Sequence, residues 1–279
     1  MKKRISITLV LLLFISLYSC KSNPSEMNNV LSDYMRGCNE TVLKSVSTIE
    51  GETTIGNSES ISISAKQAIN DRHNLIVLLE VTSSDNIEFN YNTKFKEAFV
   101  NIKDIDGISI NNIAYYPSKN KKSMNVILSG FAKETLNNQI ISLEFVDLYN
   151  NKTDDTIEKA QWNLEFELNG EDITKVVDIQ ESNSIATDLR TIEISPYSIY
   201  ASFEGNKSSK IENIPLVELD IKIIMKTGEE ISIDLIRDNI EWNDSKTIYI
   251  GYVWGKPINA LINLEDIKSI SINGTNFNI

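Results

Sequence analysis

The chain has very few of the residues on which metal-ligand and nucleophile chemistry most often depends. Its 279 residues include two cysteines, Cys20 and Cys38, and one histidine, His73. That supply argues against a zinc cluster of Cys and His ligands and against a Cys–His nucleophile pair. The sequence also has no Gly-rich phosphate loop and no G-x-S-x-G motif. We therefore expect no catalytic residues, no metal site and no cofactor.

An apolar segment long enough to cross a membrane is missing as well. The apolar run Ile5–Leu17 falls well short of the roughly 20 residues that a membrane-spanning helix needs. Positive residues precede this run, and a small residue, Ser19, follows it just before Cys20. This order is typical of a secretory signal peptide over residues 1–19. The alternative is an ordinary secretory signal followed by a chance cysteine.

The end of this segment predicts how the protein is held in place. Leu17-Tyr18-Ser19-Cys20 resembles the lipobox of bacterial lipoproteins, in which the cysteine is acylated and becomes the first mature residue. Tyr18 stands where a small residue is most often found. One acyl chain holds a protein only weakly to a bilayer, so stable retention needs the additional chains that lipoprotein processing supplies. The resemblance predicts lipidation of Cys20 and a cell-membrane anchor on the extracytoplasmic face.

Positive charge is also scarce. Residues 1–19 hold three of the 27 Lys and Arg residues and none of the 39 Asp and Glu residues, so the mature chain has 24 against 39, a net charge of −15. Binding to phosphate backbones and to anionic lipid is driven by clustered Lys and Arg. The sequence therefore argues against a nucleic-acid partner and leaves the lipid anchor as the contact with the membrane.

Residues 20–41 are predicted to form a tether with a short helix. Ser25 can cap this helix and Gly37 can end it. The helix either docks on its own chain or binds a partner near the membrane. With Cys20 committed to lipid, Cys38 has no partner within the chain, and we expect an unpaired structural thiol. Hydrophobic cores, not disulfides, must stabilise the fold.

From Val42 onward the sequence consists of short segments rich in β-branched and aromatic residues, separated by turn residues. Their spacing favours antiparallel sandwiches and leaves no room for helical crossovers. A polar stretch, 169–184, separates two blocks, and Lys226–Glu229 is predicted to form a hairpin turn. The fold class is therefore all-β, with β-sandwich domains at 42–175 and 176–279. The predicted strands are Ile61–Ser64, Leu75–Val81, Phe99–Ile102, Ile108–Ile113, Asn125–Leu128, Ile140–Phe145, Trp162–Leu168, Thr191–Ile194, Ser198–Phe203, Leu216–Met225, Glu230–Leu235, Thr247–Val253 and Ile267–Ile272.

Three features of the first block bear on chemistry. His73 lies in the predicted turn Asn70–Asn74, where a lone histidine is expected to be solvated. Glu165 and Glu167 share one face of a predicted strand, either as a glycosidase pair or as part of an ordinary exposed charged face. Asp104–Gly107 lacks the ligand positions of an EF-hand, which leaves open only an isolated calcium ion between loops.

Aromatic residues are concentrated in the second block. Trp242, Tyr249, Tyr252 and Trp254 lie within 13 residues. Exposed aromatic rings on a sandwich can stack on sugar rings, so a carbohydrate-binding module is the alternative function. Tyr252 and Trp254 alternate in phase with two isoleucines, as in a core stripe. Trp242 and Tyr249 are therefore the better candidates for an exposed ligand-binding surface.

A family resemblance extends loosely over residues 42–279. Trp162–Phe166, Ile192–Ile199, the Thr227-Gly228 hairpin and Ile267–Gly274 resemble segments of extracytoplasmic proteins of Gram-positive bacteria that carry a tandem pair of immunoglobulin-like domains of unknown function. Many members have a transmembrane helix, and sometimes an anti-sigma-like cytoplasmic segment, before these domains, whereas this chain has a lipoprotein signal. The resemblance implies two immunoglobulin-like sandwiches outside the cytoplasm and no catalytic residues to carry over.

These observations together predict a lipid-anchored extracytoplasmic protein that is not an enzyme. It would act by binding or as a structural component of the cell envelope, with an unknown protein or cell-wall partner. Rim loops of the sandwiches would make the contacts. The alternative is a cell-wall glycan module that uses Trp242 and Tyr249.

Overall fold

The structure is a computed structural model, and it is almost entirely β. Within the described residues, the 3₁₀ turn Leu264–Asp266 is the one helical element, so the predicted all-β class is confirmed. None of the described helices is long and apolar enough to cross a bilayer. The described residues are 46–49, 55–56, 58, 60–84, 87–103, 108–132, 135–179, 189–196, 198–204, 220–233, 240–242, 247–253 and 262–279.

Several of the predicted features lie outside the described residues. They are the signal peptide 1–19, Cys20, Cys38, the short helix within 20–41 and Asp104–Gly107.

The described residues of the first block form nine strands in two antiparallel sheets. They are β1 Val46–Thr48, β2 Ile55–Gly56, β3 Ile61–Asn70, β4 Asn74–Ser83, β5 Thr93–Ile102, β6 Ser109–Pro117, β7 Ser123–Phe131, β8 Ile140–Asn150 and β9 Asp155–Glu167. The strand order is β1-β3-β4-β7-β6 in one sheet and β2-β9-β8-β5 in the other.

One hydrophobic core lies between these two sheets. It draws on buried residues from both, for example Val77 and Leu128 from one sheet and Leu143 from the other. At its centre the buried Trp162 donates its indole N–H to the Ile61 carbonyl at 3.3 Å. Burial of apolar surface stabilises by roughly 25 cal/mol per Å², so this core is the main source of stability for the first block.

The second block also has two antiparallel sheets. Its strands are β10 Lys175–Asp178, β11 Leu189–Ile194, β12 Ser198–Glu204, β13 Ile221–Met225, β14 Glu230–Ile233, β15 Ile240–Trp242, β16 Thr247–Val253, β17 Ile267–Ile272 and β18 Thr275–Asn278. The strand order is β10-β11-β12-β16-β15 in one sheet and β14-β13-β17-β18 in the other.

Each predicted strand coincides at least in part with an observed strand, and the predicted hairpin turn is also present. Gly228 has φ +88°, a conformation that glycine adopts without strain, and Met225 N–H donates to the Glu229 carbonyl at 2.9 Å. The polar stretch 169–184 differs from expectation, because β10 forms inside it and pairs with β11. The division of the chain at 175/176 stays a prediction.

Candidate functional site

Two hairpin turns, one from each block, meet in a buried polar cluster. The first turn, residues 71–73, lies between β3 and β4, and the second begins at Ser195, between β11 and β12. Each is closed by a backbone hydrogen bond, from Asp71 N–H to Asn74 O at 3.1 Å and from Ser195 N–H to Ser198 O at 2.9 Å. We call the contact between them the inter-block clasp; it consists of Asp71, His73, Ser195, Ser198 and Tyr200.

Within its own turn, the Asp71 carboxylate fixes the backbone. Its Oδ1 accepts hydrogen bonds from His73 N–H at 2.9 Å and from Asn74 N–H at 2.7 Å. The side-chain amide of Asn74 donates to both carboxylate oxygens, at 3.1 and 3.2 Å. Aspartate commonly makes such bonds to backbone groups two and three residues further on, which is why it is favoured in turns.

The other carboxylate oxygen of Asp71 reaches the second block. Asp71 Oδ2 accepts a hydrogen bond from the Ser195 hydroxyl at 2.8 Å and a second, short one from the Ser198 hydroxyl. Ser198 N–H in turn donates to Ser195 Oγ at 3.0 Å. Asp71 is 2% exposed, so these donors replace the water that the carboxylate loses on burial.

His73 packs against the second block with its ring. The imidazole stacks on Tyr200 with ring centroids 4.3 Å apart and an interplanar angle of 9°. Phe131, at the end of β7, also stacks on Tyr200, with ring centroids 5.5 Å apart. These three rings bury apolar surface beside the Asp71 hydrogen bonds, so the clasp combines polar and aromatic contacts.

The two imidazole nitrogens of His73 have different neighbours. Nδ1 lies 3.2 Å from the Ala132 carbonyl, and because a carbonyl oxygen only accepts, Nδ1 carries the proton of this bond. Nε2 lies 3.6 Å from a carboxylate oxygen of Glu193, which belongs to β11. Neither nitrogen is therefore directed at Ser195 or Ser198.

A partly exposed ion pair borders the clasp. Arg72 Nε donates to Asp172 Oδ2 at 2.9 Å, and Arg72 also lies 3.9 Å from Glu193. The hydrogen bond to Asp172 raises the pKa of Arg72 despite partial burial. Burial alone would raise the pKa of Asp172, but hydrogen bonds from Thr174 N–H and from Arg72 outweigh it and hold that pKa below its usual value.

The arrangement of the clasp matters for chemistry. A serine nucleophile needs a base that takes its proton, usually an imidazole that is itself held by a carboxylate. Here the hydroxyls of Ser195 and Ser198 donate directly to Asp71, and the imidazole of His73 faces other groups. The hollow bordered by these residues is too narrow to hold a small molecule. This geometry supports a structural role, in which the side chains hold the two hairpins together.

The described residues were also compared with the requirements of a metal site. Within the described ranges, no group of three or more His, Cys, Asp or Glu residues is placed so that it could hold an ion.

The structure corrects the expectation for His73. The turn forms where the sequence predicts it, but His73 is only 8% exposed and is not solvated. The physical reason is that the hairpin of the second block covers the turn, and a pattern within one block cannot reveal a cover that comes from more than 100 residues further along the chain. Glu165 and Glu167, in contrast, are exposed on one face of β9 as predicted.

The two predicted aromatic ligand residues lie in neighbouring strands. Strand β15 pairs with β16, with Glu241 opposite Tyr249 and Trp242 opposite Ile248. Since successive residues of a strand alternate between faces, positions 242 and 249 belong to opposite faces of this sheet. Their side chains lie outside the described part of the structure, so their role as ligand-binding residues stays a prediction.

The register also relates these two positions to the rest of the sheet. Position 249 falls on the face that carries Glu193 and Tyr200, and position 242 falls on the opposite face, which carries buried isoleucines of β11 and β12.

Sequence reasoning missed most residues of the clasp. Two local signals were present: Asp71 stands two residues before His73, and Ser195 stands three residues before Ser198. Both spacings are typical of side chains that cap turns. These signals predict turns, but they do not predict that the two turns meet.

Comparisons with known proteins identify one solved structure with a similar fold. No protein-family model matches the chain, and no curated protein matches it. A solved structure described as the conserved domain protein from Bacillus anthracis is similar, with a TM-score of 0.55 and 13% sequence identity. The match covers 83% of this chain and 77% of that chain. At this identity the likeness concerns the fold alone.

Proposed function

We propose that this chain is a lipid-anchored extracytoplasmic protein, built from two immunoglobulin-like sandwiches, that acts by binding or as a structural part of the cell envelope and not by catalysis. The observation that carries the proposal is the clasp. The buried Asp71 carboxylate accepts hydrogen bonds from two hydroxyls of the other block, and the imidazole nitrogens of His73 lie beside the Ala132 carbonyl and Glu193.

Strand order supports the immunoglobulin-like part of the proposal. In constant-type immunoglobulin domains, seven strands A to G form the sheets ABED and CFG. Assigning A to G to β3 through β9 yields the orders β3-β4-β7-β6 and β9-β8-β5, which match the first block. In the second block β11, β12, β16 and β15 correspond to A, B, E and D, and β13, β17 and β18 to C, F and G, with β10 and β14 as additions.

The solved neighbour supports the pairing of two such units. Neither 42–175 nor 176–279 alone amounts to 83% of this chain, so the shared fold extends over both blocks. The clasp supplies a physical reason for a fixed pairing, because it ties equivalent A–B hairpins of the two blocks together.

The anchor is tested by changing the cysteine at the end of the signal segment. In cells that produce the natural chain, we expect the protein in the membrane fraction, released by detergent and not by salt, and an acylated N-terminal Cys20 in mass spectrometry. The Cys20→Ser variant should appear in the soluble or secreted fraction, since the covalent chains supply most of the membrane affinity. A natural protein with an unmodified Cys20 in the soluble fraction would overturn the anchor.

The alternative is a wall-glycan module that uses Trp242 and Tyr249, and a sedimentation assay separates it from binding of a protein. The detergent-solubilised chain is mixed with purified peptidoglycan and with walls that bear teichoic acid, beside Trp242→Ala and Tyr249→Ala. Loss of sedimentation with either variant would support a wall-glycan module. Absence of the natural protein from both pellets would reject that alternative, and crosslinking in intact cells would then identify the protein neighbours.

A further inference from the structure

The outer face of the sheet β2-β9-β8-β5 carries both exposed apolar and acidic side chains. Pairing aligns Phe99 with Glu144 and Asn163 in one row across β5, β8 and β9. Neighbouring rows bring outward Glu97, Val146 and Gln161 on one side, and Asn101, Ser142, Glu165, Ile140 and Glu167 on the other. We call these residues the Phe99 face.

Apolar groups are unusually accessible here. Phe99 is 44% exposed and Ile140 is 37% exposed, and they are two of the five large apolar residues most exposed in the described part of the chain. The residues between them in the strands, such as Val100 and Ile141, point into the core, so the exposure follows from the alternation of a sheet with one buried face. Single exposed apolar side chains are common on protein surfaces, so the charged groups around Phe99 carry the argument for a contact surface.

The charge on the Phe99 face determines which sign of charge a partner should carry. Four glutamates, Glu97, Glu144, Glu165 and Glu167, are spread over it. Lys103 Nζ lies 3.9 Å from Glu165 at the rim and offsets part of this negative charge. The neutral amide of Gln161 donates to Glu144 at 2.7 Å and leaves the charge of that carboxylate in place. The remaining negative charge disfavours a second copy of this acidic chain, nucleic acid, teichoic acid and anionic lipid, and it favours a cationic partner.

Size limits the partner further. Along β9 the face runs from Gln161 to Glu167, about 20 Å, and across three strands it measures about 10 Å. A stable interface between globular proteins buries roughly 800 Å² on each side, several times this area. An extended peptide segment of about seven residues has the right length, and its Lys or Arg side chains can reach the glutamates while one apolar side chain rests on Phe99.

We propose that the Phe99 face binds an extended basic segment of a partner protein, with Phe99 contacting an apolar side chain and the four glutamates contacting lysine or arginine. This inference rests on the proposed function, because it names the partner class of a binding protein. The wall-glycan alternative involves another sheet, so the two are separable by mutation.

The test uses the full chain in a non-ionic detergent and fluorescence anisotropy with a labelled peptide, Lys-Ser-Lys-Leu-Lys-Ser-Lys. Empty micelles provide the blank. We expect saturable binding that weakens with added salt, because the charges are exposed. A peptide with serine in place of the central leucine, and a peptide with glutamates in place of the lysines, should each bind roughly tenfold more weakly or not at all.

Matched variants locate the binding. Phe99→Ser and the double variant Glu165→Gln/Glu167→Gln should each weaken it roughly tenfold. The controls are Tyr91→Ser, which removes another exposed aromatic ring, and Glu229→Gln/Glu230→Gln, which removes the same charge from a hairpin where Lys222 pairs with Glu230 at 3.3 Å. These controls should change binding by less than about twofold. Unchanged thermal unfolding of each variant shows that its fold is retained.

Several outcomes would overturn this inference. They are no binding by the natural chain, equal losses in the face and control variants, equal affinity for the leucine and serine peptides, or stronger binding of a glucosamine oligomer than of the peptide. None of these depends on the anchor, so failure here would leave the proposed function standing. Conversely, a soluble protein with unmodified Cys20 would overturn the anchor and leave the Phe99 face to be judged by the peptide assay.

Discussion

At the scale of single residues, Asp71 is the most consequential polar side chain of the described structure. It is buried, and its two oxygens accept hydrogen bonds from backbone N–H groups, an amide and two hydroxyls that come from both blocks. Ser195 and Ser198 belong to the second block and donate their hydroxyl protons to one oxygen of this carboxylate. The residue thus acts as a shared acceptor for two hairpins.

The first prediction concerns this acceptor. Asp71→Asn replaces one oxygen by an NH₂ group that faces donors, so some buried donors lose their acceptor. We expect the free energy of unfolding to fall by about 2–4 kcal/mol. Denaturant unfolding of the variant, beside the exposed control Asp155→Asn, measures this difference. Equal stability of the two variants would show that the carboxylate contributes little.

A second residue-scale prediction concerns pH and the Arg72–Asp172 pair. The pKa of Asp172 is lowered in the folded state, so its contribution to stability is present above the unfolded pKa, about 3.9, and is lost as the pH falls through the folded value. The stability difference between the natural chain and Asp172→Asn should therefore be larger at pH 6 than at pH 2.5. Denaturant midpoints at both values measure it, and a difference independent of pH would contradict the assignment.

At the scale of secondary-structure elements, strand β7 carries a glycine that its neighbour requires. A Cβ built on Gly130 would lie 2.6 Å from Ile108 Cγ2 and 3.2 Å from the Ser109 carbonyl oxygen. Ile108 is buried, so it has little room to move. Strand β6 can therefore approach β7 closely only where β7 lacks a side chain.

The prediction at this scale is that Gly130→Ala destabilises the first block. Overpacking of this kind costs about 1–3 kcal/mol. Because the nearest clash is with Ile108, the variant Ile108→Ala should remove part of that cost when the two changes are combined. A double-mutant cycle by denaturant unfolding measures this coupling, with Ile108→Ala alone as the reference. Strict additivity would contradict the close approach.

Strand boundaries show which elements sequence patterns reveal. Apolar runs such as Leu75–Val81 and Trp162–Leu168 predicted β4 and β9, because buried strands need β-branched and aromatic residues. Strands β1, β2, β10, β15 and β18 were not predicted. Strand β18 forms because Asn273 and Gly274, both with positive φ, make a tight turn that pairs it with β17. An Asn-Gly turn was the available signal for it.

At the scale of the whole molecule, the clasp predicts how the two blocks unfold. In the natural chain we expect one cooperative transition in calorimetry. Separating the hairpins would leave the Asp71 carboxylate without its hydroxyl hydrogen-bond donors. The double variant Ser195→Ala/Ser198→Ala removes those partners and should split the transition into two. Two transitions already in the natural chain, unmoved by the double variant, would show that the blocks are energetically independent.

Over the described residues, the sequence by itself determined the all-β class, most core strands and the hairpin at Lys226–Glu229. Periodicity, β-branched content and turn residues are local properties, and local hydrogen bonding and burial respond to them directly. The sequence also determined the acidic balance that makes anionic partners unfavourable.

Only the tertiary structure decided the clasp and the Phe99 face. Asp71 and Ser195 are 124 residues apart, and the sequence of neither turn indicates that it contacts the other. Their contact therefore arises only when both sheets have formed. His73 changed from a solvated turn residue to a buried one for that reason. Likewise Phe99 and Glu144 become neighbours only through the register of β5 and β8, since cross-strand contacts depend on pairing and not on proximity in sequence.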